Sequence, residues 1–114
     1  MAKKIRVSTV PLEDYTTAPS PLFILPPDRI RKTAAVGDTA KMTFVNTDDE
    51  NGSERMWVRI TNANNGTYEG TLENKPFYFP PKVLTFGDIV KFSWNNICDL
   101  LDIKGNSTVP SEAP

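Results

Sequence analysis

Histidine is absent from the 114 residues, and cysteine occurs once, at Cys98. The first absence removes every imidazole general base, every Ser-His or Cys-His nucleophile and every His-ligated metal. The second leaves neither an intramolecular disulfide nor a thiolate zinc set, so Cys98 is expected to be a core thiol. Long apolar runs are lacking too. The longest, Leu22-Phe23-Ile24-Leu25, is far short of the ~20 residues that span a bilayer. After the basic start Lys3-Lys4-Ile5-Arg6, Ser8, Thr9 and Pro11 break up any signal-peptide core. The expected location is therefore the cytosol. There is no Gly-rich phosphate loop, nucleophile elbow or paired metal-ligand motif, and a chain this short holds one small core. No catalytic residue, cofactor or metal site is expected, and the chain reads as a non-enzyme.

What the chain does have is proline and period-two alternation. Five prolines fall between Pro11 and Pro27, fixing φ and removing backbone donors, so this stretch is neither a helix nor a central strand. The organisation expected is an edge strand at Ile5 to Val10 plus a proline-rich arm over 1–35, a β-rich body over 36–105 and a flexible tail over 106–114. In the body, Ala40, Met42 and Phe44 alternate with Lys41 and Thr43. Met56, Val58 and Ile60 alternate with Arg55, Trp57, Arg59 and Thr61. Tyr68, Gly70 and Leu72 share a face, as do Val90, Phe92 and Trp94. The two Asn-Gly pairs, Asn51-Gly52 and Asn65-Gly66, suit hairpin turns, and Gly70 inside a strand predicts a bulge or a close backbone approach. Ile97, Leu100 and Leu101 have helical spacing after Asn95 and Asn96, which predicts a short C-terminal helix. The fold class expected is mainly β: a small bent antiparallel sheet or half-open SH3-like barrel with one short C-terminal helix.

Gly37-Asp38-x-Ala40-Lys41-Met42-Thr43-Phe44 is echoed by Gly87-Asp88-x-Val90-Lys91-Phe92-Ser93-Trp94. The shared frame reads as one turn-then-strand device used twice, with each Asp bonding nearby backbone amides. The remaining carboxylates do not form an acid–base pair. Asp48, Asp49 and Glu50 sit in a turn without calcium-loop spacing, and Asp99 and Asp102 fall on a solvated face.

Charge is uneven. Residues 1–32 carry six basic and three acidic groups, and 33–114 carry seven and eleven, for a net charge of −1. A near-neutral domain lacks the electrostatic attraction that dominates phosphate-backbone binding, so nucleic acid is not the favoured partner. The most informative position is Trp57, a large aromatic on the polar face of its strand between Arg55 and Arg59. Two readings follow. The arm residues Leu22 to Leu25, or the Pro76 to Pro81 crossover, cover it as a second small core. Alternatively, Trp57, Arg55 and Arg59 form a platform that stacks a planar group and pairs an anion, with Tyr68, Lys75, Phe77 and Tyr78 along its edge.

Between Ala40 and Leu100 one ordered set of residues stands out: Phe44; Glu54-x-x-Trp57-Val58; Gly70-x-Leu72-x-Asn74-x-Pro76; Leu84-x-x-Gly87-Asp88-x-Val90; and Ile97-x-Asp99. On these the chain resembles the YegJ-like family of bacterial domains of unknown function. It departs on the N-terminal side, where that family carries a helical segment and this chain its prolines. The resemblance implies an architecture and no activity. The expected function is a small binding module that occludes or sequesters a partner protein or a small anionic, nucleotide-like ligand, in the setting of a phage or mobile-element accessory protein. The alternatives are a nucleic-acid-binding β-barrel and a structural subunit of a homo-oligomer docking through its arm.

Overall fold

The computed structural model describes residues 6–47 and 52–109. Five strands, β1 (Thr39–Phe44), β2 (Glu54–Asn64), β3 (Thr67–Leu72), β4 (Ile89–Ser93) and β5 (Asp99–Leu101), form one antiparallel sheet in the order β4-β3-β2-β1-β5. The alternation seen in the sequence sets its faces. Ala40, Met42, Phe44, Met56, Val58, Ile60, Tyr68, Leu72, Val90, Phe92 and Leu100 all point to one buried side. That side is covered by Ala34, Phe79, Leu84 and Ile97, with Val10, Leu12 and Ile30 at its margin. The sheet is open and not closed into a barrel.

Two glycines set the geometry of the β2–β3 hairpin. Asn65 and Gly66 both take positive φ (50° and 85°), the pair of left-handed residues that a two-residue turn needs to match strand twist. At Gly70 a Cβ would lie 2.4 Å from the Arg59 carbonyl oxygen and 2.5 Å from a Val58 methyl. The register slips opposite it, between Ile60 and Asn62. Both halves of the expectation for Gly70, bulge and close approach, are met at this one place.

The two Gly-Asp segments are the same turn. Gly37 and Gly87 have φ of 98° and 88°. Asp38 accepts the Ala35 N–H at 2.9 Å, and Asp88 accepts the Thr85 N–H at 2.9 Å. Each turn then exchanges backbone bonds with the central hairpin. Gly37 N–H donates to Ile60 and Ile60 N–H to Asp38, while Gly87 N–H donates to Leu72 and Leu72 N–H to Asp88. One local device therefore starts both β1 and β4.

The arm is tied to both sides of the sheet. Its first described residues run beside β4, with Ser8 N–H bonded to the Ile89 carbonyl and Ile89 N–H to that of Arg6. Residues 11–13 then bond the free edge of β1, through Val45 N–H to Pro11 and Glu13 N–H to Thr43. After its last prolines the chain makes one helical turn, α1 (Asp28–Lys32), within the segment expected to be arm alone. Pro26 and Pro27 end just before it, where a missing N–H costs a helix nothing. Arg31 on α1 is 1 % exposed, and its guanidinium donates to the carbonyls of Pro26, Tyr15 and Ile97 and to the Asp28 carboxylate, at 2.7–3.1 Å.

The C-terminal part differs from expectation in three ways. Trp94 does not continue β4; it opens a single 3-10 turn (Trp94–Asn96), where Ser93 N–H bonds the Asn96 side chain. In place of the expected helix through Leu101, β5 pairs with β1 through Leu100 opposite Ala40. Three apolar residues at helical spacing cannot nucleate an isolated helix, whereas the vacant edge of β1 offers ready hydrogen-bond partners. The segment expected to be a flexible tail folds back on β5 as far as Val109: Ser107 bridges Leu101, and Thr108 N–H donates to the Leu100 carbonyl. Residues 110–114, the Asn51 half of the first expected turn and the Ile5 end of the edge strand lie outside the described residues.

Candidate binding face on the outer side of the sheet

Register decides which outward side chains meet. Lys41 stands directly opposite Trp57, Thr43 opposite Arg55 and Thr39 opposite Arg59. The Lys41 ammonium lies 5.2 Å from the centre of the Trp57 ring, within cation–π range. Trp57 itself is half-buried. Its backbone is held on the side that β3 vacates after Leu72: its N–H donates to Asn74 Oδ1 at 2.6 Å and its carbonyl accepts the Glu73 N–H. The residue that sequence reasoning missed here is Lys41. Alternation marks it as outward, but only strand pairing shows that it sits on Trp57.

The three residues of the proposed platform have different surroundings. Arg59 is bound to Glu73 at 2.6 Å. Arg55 is exposed, and its guanidinium carbon lies 5.8 Å from the centre of the Phe23 ring on the arm. Phe23 stacks on Tyr15 at 5.6 Å, and the Tyr15 hydroxyl is hydrogen-bonded to that of Thr43 at 2.7 Å. The arm thus reaches the outer face at Thr43 and Arg55, while the group over Trp57 is Lys41. Farther along the face, Lys91 pairs with Glu69 at 3.6 Å. Neither Lys41 nor Arg55 has a carboxylate at ion-pair distance among the described residues.

The edge residues separate. Tyr68 belongs to the core and not to the platform. Its hydroxyl donates to the Arg31 carbonyl at 2.6 Å and accepts the Ala34 N–H, its ring lies against Phe92, and burial raises its pKa. The cause is the β3 period, which puts Tyr68 on the face of Gly70 and Leu72. Lys75, Phe77 and Tyr78 follow β3 back along β2, where the Glu54 carboxylate accepts the N–H groups of both Phe77 and Tyr78. They line a groove of their own with Pro76, Pro80 and Leu84. Phe77 is 82 % exposed.

Beside the Lys41–Trp57 pair, the arm and the sheet flank an open cleft of about 250 Å³ that includes Arg55, Cys98 and Asp99. Burial pushes the Cys98 thiol up to about 11, only partly offset by Arg55 and Lys41. It is a neutral thiol at neutral pH and no nucleophile. No group of three or more metal-ligating side chains occurs among the described residues. Nor is any of their helices long and apolar enough to cross a membrane.

A family model described as an uncharacterized protein conserved in bacteria (DUF2314) matches residues 28–111. The chain belongs to this family. The DUF2314 match opens at the first residue of α1 and so takes in Arg31, the whole sheet, and Lys41, Arg55, Trp57 and Arg59. Neither a curated protein nor a solved structure matches the chain.

Proposed function

We propose that this DUF2314 chain is a non-enzymatic binding module that captures an anionic partner, a protein loop or a small ligand, on the outer face of β1 and β2. One observation carries the reading. Lys41 and Arg55 flank Trp57 on an accessible face with no carboxylate partner among the described residues, whereas Arg59 and Lys91 on the same face are paired. An unpaired cation held on an aromatic is a ready counter-charge for an incoming anion, and the ring supplies apolar contact at low entropic cost. Trp57 is the group to stack a planar substituent. The YegJ-like label is the finer part of the same reading. It rests on Glu54, Trp57, Asn74 and Gly87-Asp88, whose bonds hold the crossover and the second turn in place. The cytosolic setting and the role of occluding a partner belong to this proposal as well.

The test uses Trp57 as its own reporter. In a Trp94→Phe background, hexaglutamate and adenosine monophosphate are titrated separately while the fluorescence is followed. The reading expects a saturable change with at least one probe, lost in Lys41→Glu/Arg55→Glu. No change with either probe, or the same change in the double variant, overturns it.

A further inference from the structure

The cleft next to Trp57 has two unlike walls. On the arm side are Leu22, Phe23 and Ile24; on the sheet side are Lys41, Arg55 and Asp99. The arm wall is apolar and open, with Leu22 94 % and Ile24 39 % exposed. Phe23, at the middle of this wall, is held in place by its stacking on Tyr15. On the sheet wall the Asp99 carboxylate is engaged by the Leu100 N–H at 2.8 Å. With Asp99 set against Lys41 and Arg55, the cleft keeps one net positive charge. Its floor carries the Cys98 thiol, whose Sγ lies 3.4 Å from the Lys41 carbonyl oxygen.

From this geometry we infer that the cleft is a binding site for a carboxylate carried on a small apolar group. The charge count matches a monoanion better than a phosphate dianion. The Arg55 guanidinium offers the planar, two-pronged donor that suits a carboxylate. At about 250 Å³ the cleft is small beside the roughly 300–1,000 Å³ of pockets that enclose drug-sized ligands, a size suited to one apolar group. The neutral thiol adds no charge to repel the anion. The inference deepens the proposed function and rests on it, because Lys41 and Arg55 serve both. Two sources share this chemistry: a free short-chain acid, and the terminal carboxylate of a protein ending in an apolar residue.

The experiment is an NMR titration of the full chain with four probes: octanoate, octanamide, acetyl-Gly-Gly-Leu as the free acid, and the same peptide amidated. At least one acid is expected to shift the backbone amides of Phe23, Lys41 and Asp99, and to bind about tenfold more tightly than its amide, the worth of one charge-assisted bond. Arg55→Gln is expected to weaken acid binding by about tenfold, and Leu22→Ser to weaken it while leaving the melting temperature unchanged. Octanoate binding alone assigns a free acid; peptide binding alone assigns a chain terminus. Equal binding of acid and amide, shifts centred elsewhere, or indifference to Leu22→Ser overturns the inference. Hexaglutamate serves as the control that separates the two readings. If it binds through Lys41 and Arg55 while no apolar acid does, the cleft fails and the outer-face reading stands. If apolar acids bind and hexaglutamate and adenosine monophosphate do not, the cleft stands and the stacking role of Trp57 on the wider face fails.

Discussion

Trp94 and Trp57 are both half-buried and both carry a cation over the ring, Arg31 at 5.1 Å for one and Lys41 at 5.2 Å for the other. Around them the chain builds opposite things. The Arg31 guanidinium donates to three carbonyls and a carboxylate from three separate stretches of chain. That corner locks the arm, α1 and the segment before β5 onto the core, with Lys32 also over the Trp94 ring at 4.5 Å. The Lys41 ammonium has no carboxylate partner among the described residues, and the Arg55 guanidinium beside it lies over the face of Phe23. A cation–aromatic contact therefore does not by itself distinguish a clamp from a contact face. The difference lies in how many fixed acceptors the cation has and how far water is excluded, because a buried guanidinium without partners is costly and an exposed one is nearly free.

The sharpest way to break the contrast is Arg31→Ala. It leaves three carbonyls without their donor and unties the arm, and is expected to cost about 3–5 kcal/mol, a large part of a small domain's stability. Urea unfolding monitored by circular dichroism measures it. A loss below about 1 kcal/mol would mean that the arm is held by its strand-like contacts alone. Trp94→Ala comes next, at about 2–3 kcal/mol, less than the usual cost for a fully buried aromatic because Trp94 is half-buried. Trp57→Ala is expected to cost about 1 kcal/mol, and Arg55→Gln, on an exposed side chain, under about 1 kcal/mol. If thermal melts of these variants place Trp57→Ala level with Trp94→Ala, the outer face is a second core.

A pH experiment sharpens the same contrast on the cleft side. Burial raises the Cys98 pKa from 9.0 to about 11, so between these values the unfolded chain has released a proton that the folded chain still holds. Unfolding then becomes easier as pH rises. Stability is therefore expected to fall between pH 9 and 11 and to be independent of Cys98 below that window. The comparison is with Cys98→Ser, which lacks the Cys98 share of the slope and keeps the share of Tyr68, whose pKa burial also raises. In the folded protein, iodoacetamide is expected to alkylate Cys98 slowly at pH 8.

How much of this can be read from the residues depends on whether a segment's partner is near in sequence. The alternation of Met56, Val58 and Ile60, or of Val90 and Phe92, is a local signal and correctly separates core from outer face. The Gly37-Asp38 and Gly87-Asp88 turns are legible for the same reason, since each Asp bonds an N–H three residues back. β5 is not legible. Ile97, Leu100 and Leu101 fit helical spacing as well as a strand, and what decides is the free edge at Thr39–Lys41, some sixty residues away. Arg31 looks like any solvated charge until Pro26, Tyr15 and Ile97 are brought around it. At the candidate site, Arg55, Trp57 and Arg59 are visible as outward residues, but the Lys41–Trp57 contact and the reach of Phe23 to Arg55 need register and the arm's path. Tyr68 shares a face with Gly70 and Leu72 by alternation alone, and that shared face is the core face, which removes it from the platform's edge.

On the proposed reading Lys41 and Arg55 serve an incoming anion, and Arg31 serves the fold. The salt dependence of hexaglutamate affinity, in the intact protein and in Lys41→Gln/Arg55→Gln with melts of both taken in parallel, separates the two roles. Exposed charges are screened over about 10 Å at 0.1 M salt. The intact protein is expected to lose affinity steadily as salt rises, and the double variant to bind weakly with a flat salt response while its melting temperature stays within a few degrees of the intact protein. Equal affinity and equal salt response in the two proteins, or a double variant that melts as early as Arg31→Ala, would contradict the account.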